Sequence, residues 1–213
     1  MTAKELVEKL VWLGHDSFRL DGPPIIYFDP WKLKGQQPPA GLVLVSHQHD
    51  DHCSPNDVRK VSSAGTVILA SRQAAERLPG ARAVAPGDQL SVAGVQIEVV
   101  PAYNVNKFRA PGIPFHPRED LHVGYIVTVA DVRIYFAGDT DHIPEMAGFK
   151  CDIALLPVSG TYVMTVEEAA DAANTIRPQI AIPMHYGAGI GSGDDGKRFA
   201  ALYRGEVVLK EAS

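Results

Sequence analysis

The chain has few cysteines, no long apolar run and no excess of positive charge, and each absence excludes a class of protein. Its two cysteines, Cys53 and Cys151, lie far apart in the sequence, so we expect no stapling disulfide and a reducing, cytoplasmic compartment. No stretch approaches the roughly 20 apolar residues that cross a bilayer. The first ten residues contain several charged side chains and lack the apolar core of a secretory signal. We therefore expect no membrane partner.

The charge balance argues against a nucleic-acid partner. Lys and Arg together number 20 and Asp and Glu 25, which gives a formal net charge of −5 and no general attraction for a phosphate backbone. Hydrophobic residues make up 46% of the 213 residues, and a chain of this length falls in the range of one globular domain. No linker or low-complexity segment interrupts it. We therefore predict one domain over residues 1–213.

Short apolar segments separated by turn residues predict β-strands along the whole chain. We expect these strands at 11–20, 25–28, 41–45, 66–70, 89–93, 95–102, 123–130, 132–137, 153–158, 179–184 and 206–210.

Capping residues predict helices between the strands. Ser54 before Pro55 supplies an N-cap with proline at the first helical position, and Ser71 caps a helix over 72–78. Thr165 and Glu168 form a capping box that opens a helix to about residue 176, and 194–203 predicts a last helix. Strands followed by helices, twice over, predict two sheets packed face to face with helices outside them.

The strongest chemical signal is the run from Ser46 to His52, which reads Ser-His-Gln-His-Asp-Asp-His. His47 and His49 are two residues apart at the end of an apolar strand, so their side chains leave the chain on the same side. Asp51 and His52 follow where the chain turns. Imidazole and carboxylate suit zinc and related divalent metals. A polar turn explains any one of these residues, but four potential ligands within six residues indicate a metal site.

This spacing resembles the signature of the metallo-β-lactamase superfamily, and the resemblance extends over nearly the whole chain. It implies an α+β four-layer αββα sandwich and two divalent ions, zinc first, with manganese or nickel as alternatives. Asp29 in Phe28-Asp29-Pro30 resembles an early aspartate that supports the site from behind the ligands. By the same likeness, one metal is held by His47 and His49 and the other by Asp51, His52 and His185, with Asp139 of Gly138-Asp139-Thr140 bridging them.

One ligand of the first metal stays open. The superfamily places a third histidine where this chain has Asn104, whose carbonyl oxygen is a weak ligand. His116 lies before the same hairpin and is chemically the better ligand, whereas His122 is a poorer choice. We favour His116 over Asn104. His15 follows Gly14 as in the lactonase-like branch of the superfamily, and it either lines the pocket or is a plain turn histidine.

The resemblance implies a metal-dependent hydrolase in which hydroxide held by two metals attacks an ester, lactone or phosphodiester bond of a small molecule. Asp51 would then be the catalytic residue that orients the water. Segments around Asn104, His116 and Asp139 resemble the branch of L-ascorbate-6-phosphate lactonase. The long loop 104–121 contains Lys107, Arg109 and Arg118, which would bind an anionic substrate or simply be solvated.

Three other functions stay open for comparison. A small nuclease or phosphodiesterase would use the same metals, although the chain has no room for the extra domain of RNA-processing relatives. A di-iron oxidoreductase would normally add a flavin domain and more carboxylates, and a non-catalytic metal-binding protein would need no complete ligand set. Members of the superfamily self-associate, so a homo-oligomer is also left open.

Overall fold

Two β-sheets lie at the centre of the computed structural model, which describes residues 1–187 and 189–213. The strands of the first sheet lie in chain order: β1 (Leu10–Gly14), β2 (Ser17–Leu20), β3 (Ile26–Phe28), β4 (Leu42–Val45), β5 (Val67–Ser71) and β6 (Arg82–Val84). Strands β1 to β3 pair antiparallel and β3 to β6 pair parallel. The parallel part sends the carboxyl ends of β3 and β4 to the same edge of the sheet.

Most of the remaining strands form the second sheet. In chain order they are β7 (Gln89–Val92), β8 (Val95–Pro101), β9 (Phe108–Ala110), β10 (Ile113–Pro114), β11 (Val123–Val129), β12 (Val132–Phe136), β13 (Ile153–Pro157), β14 (Ile180–Met184) and β15 (Glu206–Val207). The order across the second sheet is β15-β14-β13-β12-β11-β8-β7, and β9 pairs with β10 in a separate hairpin. Strands β12, β13 and β14 run parallel, so they too end at a common edge.

The helices flank the sheets. They are α1 (Ala3–Glu8), α2 (Pro55–Val61), α3 (Arg72–Arg77), α4 (Val166–Ile176) and α5 (Asp195–Leu202). The described residues contain no helix that is long and apolar enough to cross a membrane.

Capping geometry confirms two of the three predicted N-caps. Ser54 caps α2, and both hydrogen bonds of the Thr165 and Glu168 capping box open α4. The prediction for Ser71 was wrong in its chemistry: the residue stands at the N-cap of α3, but its hydroxyl makes no capping hydrogen bond. Ser71 is also the last residue of β5, and its side chain is buried.

Alternating side chains of the first sheet face two separate apolar layers. In β3, Phe28 points to the second sheet, where its ring lies 5.1 Å from that of Phe136, whereas Tyr27 packs with α2 and α3. The two sheets are also joined by the Tyr125 hydroxyl, which donates to the backbone oxygen of Val45 at 2.8 Å. Helix α4 packs against β13 on the far side of the second sheet. The order helix, sheet, sheet, helix confirms the predicted αββα sandwich.

Some strand boundaries differ from those predicted. The segment 11–20 is a hairpin rather than one strand, because Gly14 and His15 turn the chain with φ angles of +104° and +53°. The short strand β6 and the hairpin of β9 and β10 were missed, since they are brief and largely exposed. The last strand, β15, is shorter than predicted. Of these differences, the hairpin in place of the strand 11–20 matters most, because its turn lies in the candidate site.

Candidate metal centre

The run from His47 to His52 leaves β4 at the edge where the two sheets meet. The backbone N–H groups of His52 and Cys53 donate to the oxygen of His49 at 3.0 and 2.8 Å, which closes a tight turn. On the facing sheet, Gly138 follows β12 with a φ of +62°, and a Cβ placed there would lie 2.8 Å from the Cβ of Ser46. This close approach requires glycine. It brings Asp139 directly against the histidines of the motif.

A first group of ligand atoms comes from His47, His49 and His116, all within 4.8 Å of one another. The Nε2 atoms of His47 and His116 lie 3.0 and 3.3 Å from Nδ1 of His49. His116 is buried although it comes from the long segment 104–121, shortly after the β9–β10 hairpin. Asn104 lies behind it: its Oδ1 accepts from the His116 backbone at 2.8 Å and lies 2.9 Å from Nδ1 of the same ring. The structure therefore places His116 in the group and Asn104 as its support.

A second group forms around His52 and His185. Asp29 lies 2.7 Å from Nδ1 of His52, and the Ser159 hydroxyl lies 2.9 Å from Nδ1 of His185. Both rings therefore turn Nε2 toward the centre, where neither atom has a hydrogen-bond partner among the described residues. Ligand atoms of Asp51 and His15 lie within 4.8 Å of those of both histidines. Asp29 thus contacts the side of the His52 ring that faces away from Asp139.

One carboxylate connects the two groups. Oδ2 of Asp139 lies 3.3 Å from Nε2 of His116 and 3.9 Å from Nε2 of His47. Its other oxygen, Oδ1, lies 3.3 Å from Nε2 of His52 and 3.5 Å from Nε2 of His185. Each oxygen of this buried side chain therefore faces one group.

His15 lies at the turn between β1 and β2, next to the second group. Its Nε2 is 3.2 Å from Oδ2 of Asp51, and its ring centroid is 4.2 Å from that of His185. His15, Asp29 and His185 have φ angles of +53°, +39° and +57°. Such angles are uncommon in residues other than glycine and cluster at functional sites. The fold holds these three residues in strained conformations around one centre.

Asp16 also lies at this centre, although no pattern in the sequence singled it out. Its carboxylate is fully buried, and one of its oxygens lies within 4.8 Å of ligand atoms of His52, Asp139 and His185. Neither oxygen has a hydrogen-bond partner in the described part of the chain. Burial raises the pKa of Asp16 well above its usual range. The one signal available in the sequence was its position directly after His15.

Burial and Asp139 set the charges of the histidines. Burial lowers the pKa of His116 to about 4, so its imidazole is neutral and free to bind a metal. Burial also opposes charge on His185, but the carboxylates of Asp139 and Asp16 together outweigh it and raise the pKa of His185 to about 9. A proton on His185 thus balances part of the negative charge of the buried carboxylates. A divalent ion at the same place would balance that charge instead.

The three cations predicted to bind substrate differ in their surroundings. Lys107 lies 2.6 Å from Glu168, and Arg118 lies 2.8 Å from Glu145. Arg109 is exposed on β9 and has no ion pair within residues 1–187 and 189–213. Their role toward a substrate stays a prediction. His122 lies outside the ligand groups found among the described residues, with its Nε2 3.4 Å from Oε1 of Gln73.

Comparison with known proteins identifies the family. The beta-lactamase superfamily domain matches residues 9–185. The chain belongs to this superfamily. It is 32% identical over 212 residues to a UPF0173 metal-dependent hydrolase of Thermoplasma acidophilum, covering 91% of this chain and 90% of that protein. A UPF0173 metal-dependent hydrolase of Pyrococcus horikoshii is 30% identical over 220 residues, with coverages of 94% and 95%.

A solved structure of a similar protein has the same fold. The crystal structure of a metal-dependent hydrolase from Parabacteroides distasonis superposes with a TM-score of 0.85 at 34% identity, covering 96% of this chain and 93% of that one. Family, relatives and site agree that this protein is a metal-dependent hydrolase with the metallo-β-lactamase fold. The likeness to the L-ascorbate-6-phosphate lactonase branch stays a prediction.

Proposed function

We propose that this hydrolase works with two divalent ions and cleaves an ester, lactone or phosphodiester bond of a small, anionic substrate. The observation that carries the proposal is the position of Asp139, whose two oxygens each face a separate group of imidazole nitrogens. A single ion would leave one of these groups without a cation. Two ions a few ångströms apart are the usual arrangement for metal-assisted hydrolysis.

The residues present fit two such ions. We assign His47, His49 and His116 to the first ion and Asp51, His52 and His185 to the second, with Asp139 between them. The fit rests on buried polar atoms that would otherwise be costly: Nε2 of His52, Nε2 of His185 and Oδ1 of Asp139 have no hydrogen-bond partner in the part of the chain described. Imidazole and carboxylate donors favour zinc, with manganese or nickel as alternatives.

When bound, the ions would acidify a water to near neutrality and polarise the substrate oxygen. The protein's own contribution centres on Asp51, whose side chain is about one-third exposed whereas the other aspartates at the ligand groups are buried. Its Oδ2 lies 3.2 Å from Nε2 of His15, and its Oδ1 turns toward His52 at 3.9 Å. Asp51 is thus placed to orient a water entering from solvent and to accept its proton, while His15 fixes the carboxylate.

The anionic character of the substrate is supported by Arg109. Because Lys107 and Arg118 are paired with carboxylates of the protein, Arg109 is the member of the predicted trio left to meet a phosphate or carboxylate. The free thiols of Cys53 and Cys151 support a reducing compartment, and we place the enzyme in the cytoplasm.

Metal analysis and a substrate panel test the proposal. We expect about two zinc, manganese or nickel ions per chain and hydrolysis of at least one member of a panel of lactones, bis-aryl phosphodiesters and thioesters. Asp51→Ala should abolish that hydrolysis. The matched control is Asp50→Ala, because Asp50 is adjacent in sequence but its side chain is 90% exposed and paired with Arg77.

Hydrolysis that survives in Asp51→Ala would contradict the assigned role of Asp51. A preparation that never exceeds one ion per chain would contradict the two-ion site. Iron with a visible absorption band would instead favour redox chemistry.

A further inference from the structure

The buried carboxylate of Asp16 has no function in the proposal above. It lies in the turn between β1 and β2, on the first sheet, and is fully buried. Its Oδ2 is 3.6 Å from Nδ1 of His52, a place already taken by Asp29 at 2.7 Å. Asp16 is therefore not needed to orient His52, because Asp29 already accepts the Nδ1 hydrogen of that ring.

Asp16 belongs to a group of four residues that share an unusual property. Ligand atoms of Asp16, His52, Asp139 and His185 lie within 4.8 Å of one another. Every member also has a buried polar atom without a hydrogen-bond partner among the described residues: both oxygens of Asp16, Oδ1 of Asp139 and Nε2 of each histidine. Buried polar groups are nearly always partnered. Four that lack partners around one point indicate a common partner, and the donor types identify it as a metal cation.

We propose that Asp16 is a further ligand of the second metal position, an inference that rests on the proposed two-ion site. That position then has three carboxylates, from Asp16, Asp51 and Asp139, beside His52 and His185. The first position has three imidazoles and shares with it the carboxylate of Asp139.

Charge balance agrees with this assignment. The site contains the carboxylates of Asp16, Asp29, Asp51 and Asp139, of which all except Asp51 are fully or almost fully buried. Burying ionised carboxylates without cations is strongly unfavourable. Two divalent ions would match the charge of four carboxylates, and Asp16 supplies the fourth.

The assignment has a consequence for metal preference. Carboxylate oxygen suits manganese and other hard ions, whereas imidazole suits zinc. The ratio of manganese affinity to zinc affinity is therefore higher at the second position than at the first. Asp16 and Asp51 each add a carboxylate to the second position alone, so removing Asp16 should narrow this difference.

The test compares metal binding by the wild-type protein and Asp16→Asn, with Asp50→Asn as the matched control. Asp50 belongs to the same motif region but is exposed and outside the ligand groups. Each protein is stripped of metal, confirmed folded by circular dichroism, and titrated separately with Mn²⁺ and Zn²⁺. We expect Asp16→Asn to weaken Mn²⁺ binding at one position by more than about 100-fold, the upper loss for a residue that only supports a ligand. Zn²⁺ binding should fall less, and Asp50→Asn should bind as the wild type does.

Equal losses for both metals, or a loss of Mn²⁺ affinity of about 100-fold or less, would overturn the assignment. If Asp16→Asn does not fold, the crystal structure of the zinc-loaded wild-type protein decides the question. If Asp16 is a ligand, one of its oxygens will lie about 2.0–2.2 Å from the metal. A distance beyond about 3 Å is a non-bonded contact and would reject the proposal. Failure of the two-ion site would show separately, as a wild-type protein that binds at most one ion.

Discussion

The two ligand groups are built in different ways. His52, His185 and Asp139 leave the ends of β4, β14 and β12, all of which are anchored in sheets. The first group takes His47 and His49 from the same motif, but its third member is His116, which is 67 residues from His49 and lies in the loop after the β9–β10 hairpin. The position of His116 depends on Asn104. The group of His52 and His185 is therefore positioned by strand ends. The group of His47, His49 and His116 also depends on hydrogen bonds within a loop.

Asp139→Ala should have the largest effect, because it removes the one side chain that both groups share. We expect metal content to fall below one ion per chain and hydrolysis to fall at least roughly 10³-fold, the loss seen when a key electrostatic group is removed. Elemental analysis and initial rates measure these changes. An Asp139→Ala enzyme that retained two ions would show that the two groups bind independently.

His116→Ala should separate the two positions. It removes a ligand of the first group and leaves the strand-end group intact, so we expect about one ion per chain and a loss of activity of roughly 10²-fold or more. The control is His122→Ala, since His122 is buried nearby but lies outside the ligand groups of the described residues. Equal metal loss in both variants would mean that His116 acts through packing and not as a ligand.

Asn104→Ala tests whether the loop sets the first position. Removing Oδ1 leaves the His116 ring free to rotate, and we expect metal affinity at that position to fall about 10–100-fold, as for other residues that orient a ligand. Affinity at the strand-end position should not change. Asn106→Ala is the matched control, because Asn106 lies on the same loop but bonds to Glu168. Calorimetric titration with Zn²⁺ resolves the two affinities, and a uniform loss would contradict the comparison.

Gly138→Ala tests the close approach between the two sheets that brings the groups together. The added Cβ would lie 2.8 Å from the Cβ of Ser46, and we expect a loss of about 1–3 kcal/mol of unfolding free energy from overpacking. Gly94→Ala is the control: Gly94 also has a positive φ, of +81°, but its Cβ would meet open space. The difference in unfolding free energy between the two variants, measured by urea unfolding, gives the steric cost of the close contact. Equal stability of the two variants would contradict the prediction.

Arg109→Ala should have the smallest effect, since Arg109 is exposed. We expect KM for an anionic substrate to rise by roughly fivefold at most, as for an exposed ion pair, with unchanged kcat and metal content. Arg118→Ala serves for comparison, because that guanidinium is paired with Glu145. A rise in KM confined to Arg118→Ala would contradict this prediction, because it would show that Arg118 and not Arg109 contacts the substrate.

The spacing of the motif made much of the fold and site predictable. His47, His49, Asp51 and His52 are close in sequence, so their proximity in space required only a strand followed by a turn. The capping box at Thr165 depends on residues three apart, and the structure contains it. Ser71 shows the limit of such local rules, because its side chain is directed into the core by the strand that it ends.

Long-range placement was less accessible. His116 and Asn104 were both plausible as the third ligand, because a sequence does not show how a loop of this length turns back on itself. Asp16 was overlooked since the hairpin turn at Gly14 and His15 was predicted as a continuous strand. In a strand Asp16 would be one of several alternating side chains, whereas the turn buries it beside His52.

The sequence by itself determined the superfamily, the sandwich and the histidine-rich strand end, because these follow from local patterns of apolar residues, caps and ligand spacing. Tertiary structure alone decided that His116 lies beside His47 and His49 with Asn104 behind it, and that Asp139 faces both groups. It also decided that Asp16 lies beside His52 with no hydrogen-bond partner among the described residues. Those facts depend on the approach of two sheets and one loop from distant parts of the chain. Such contacts are set by packing, and local sequence does not record them.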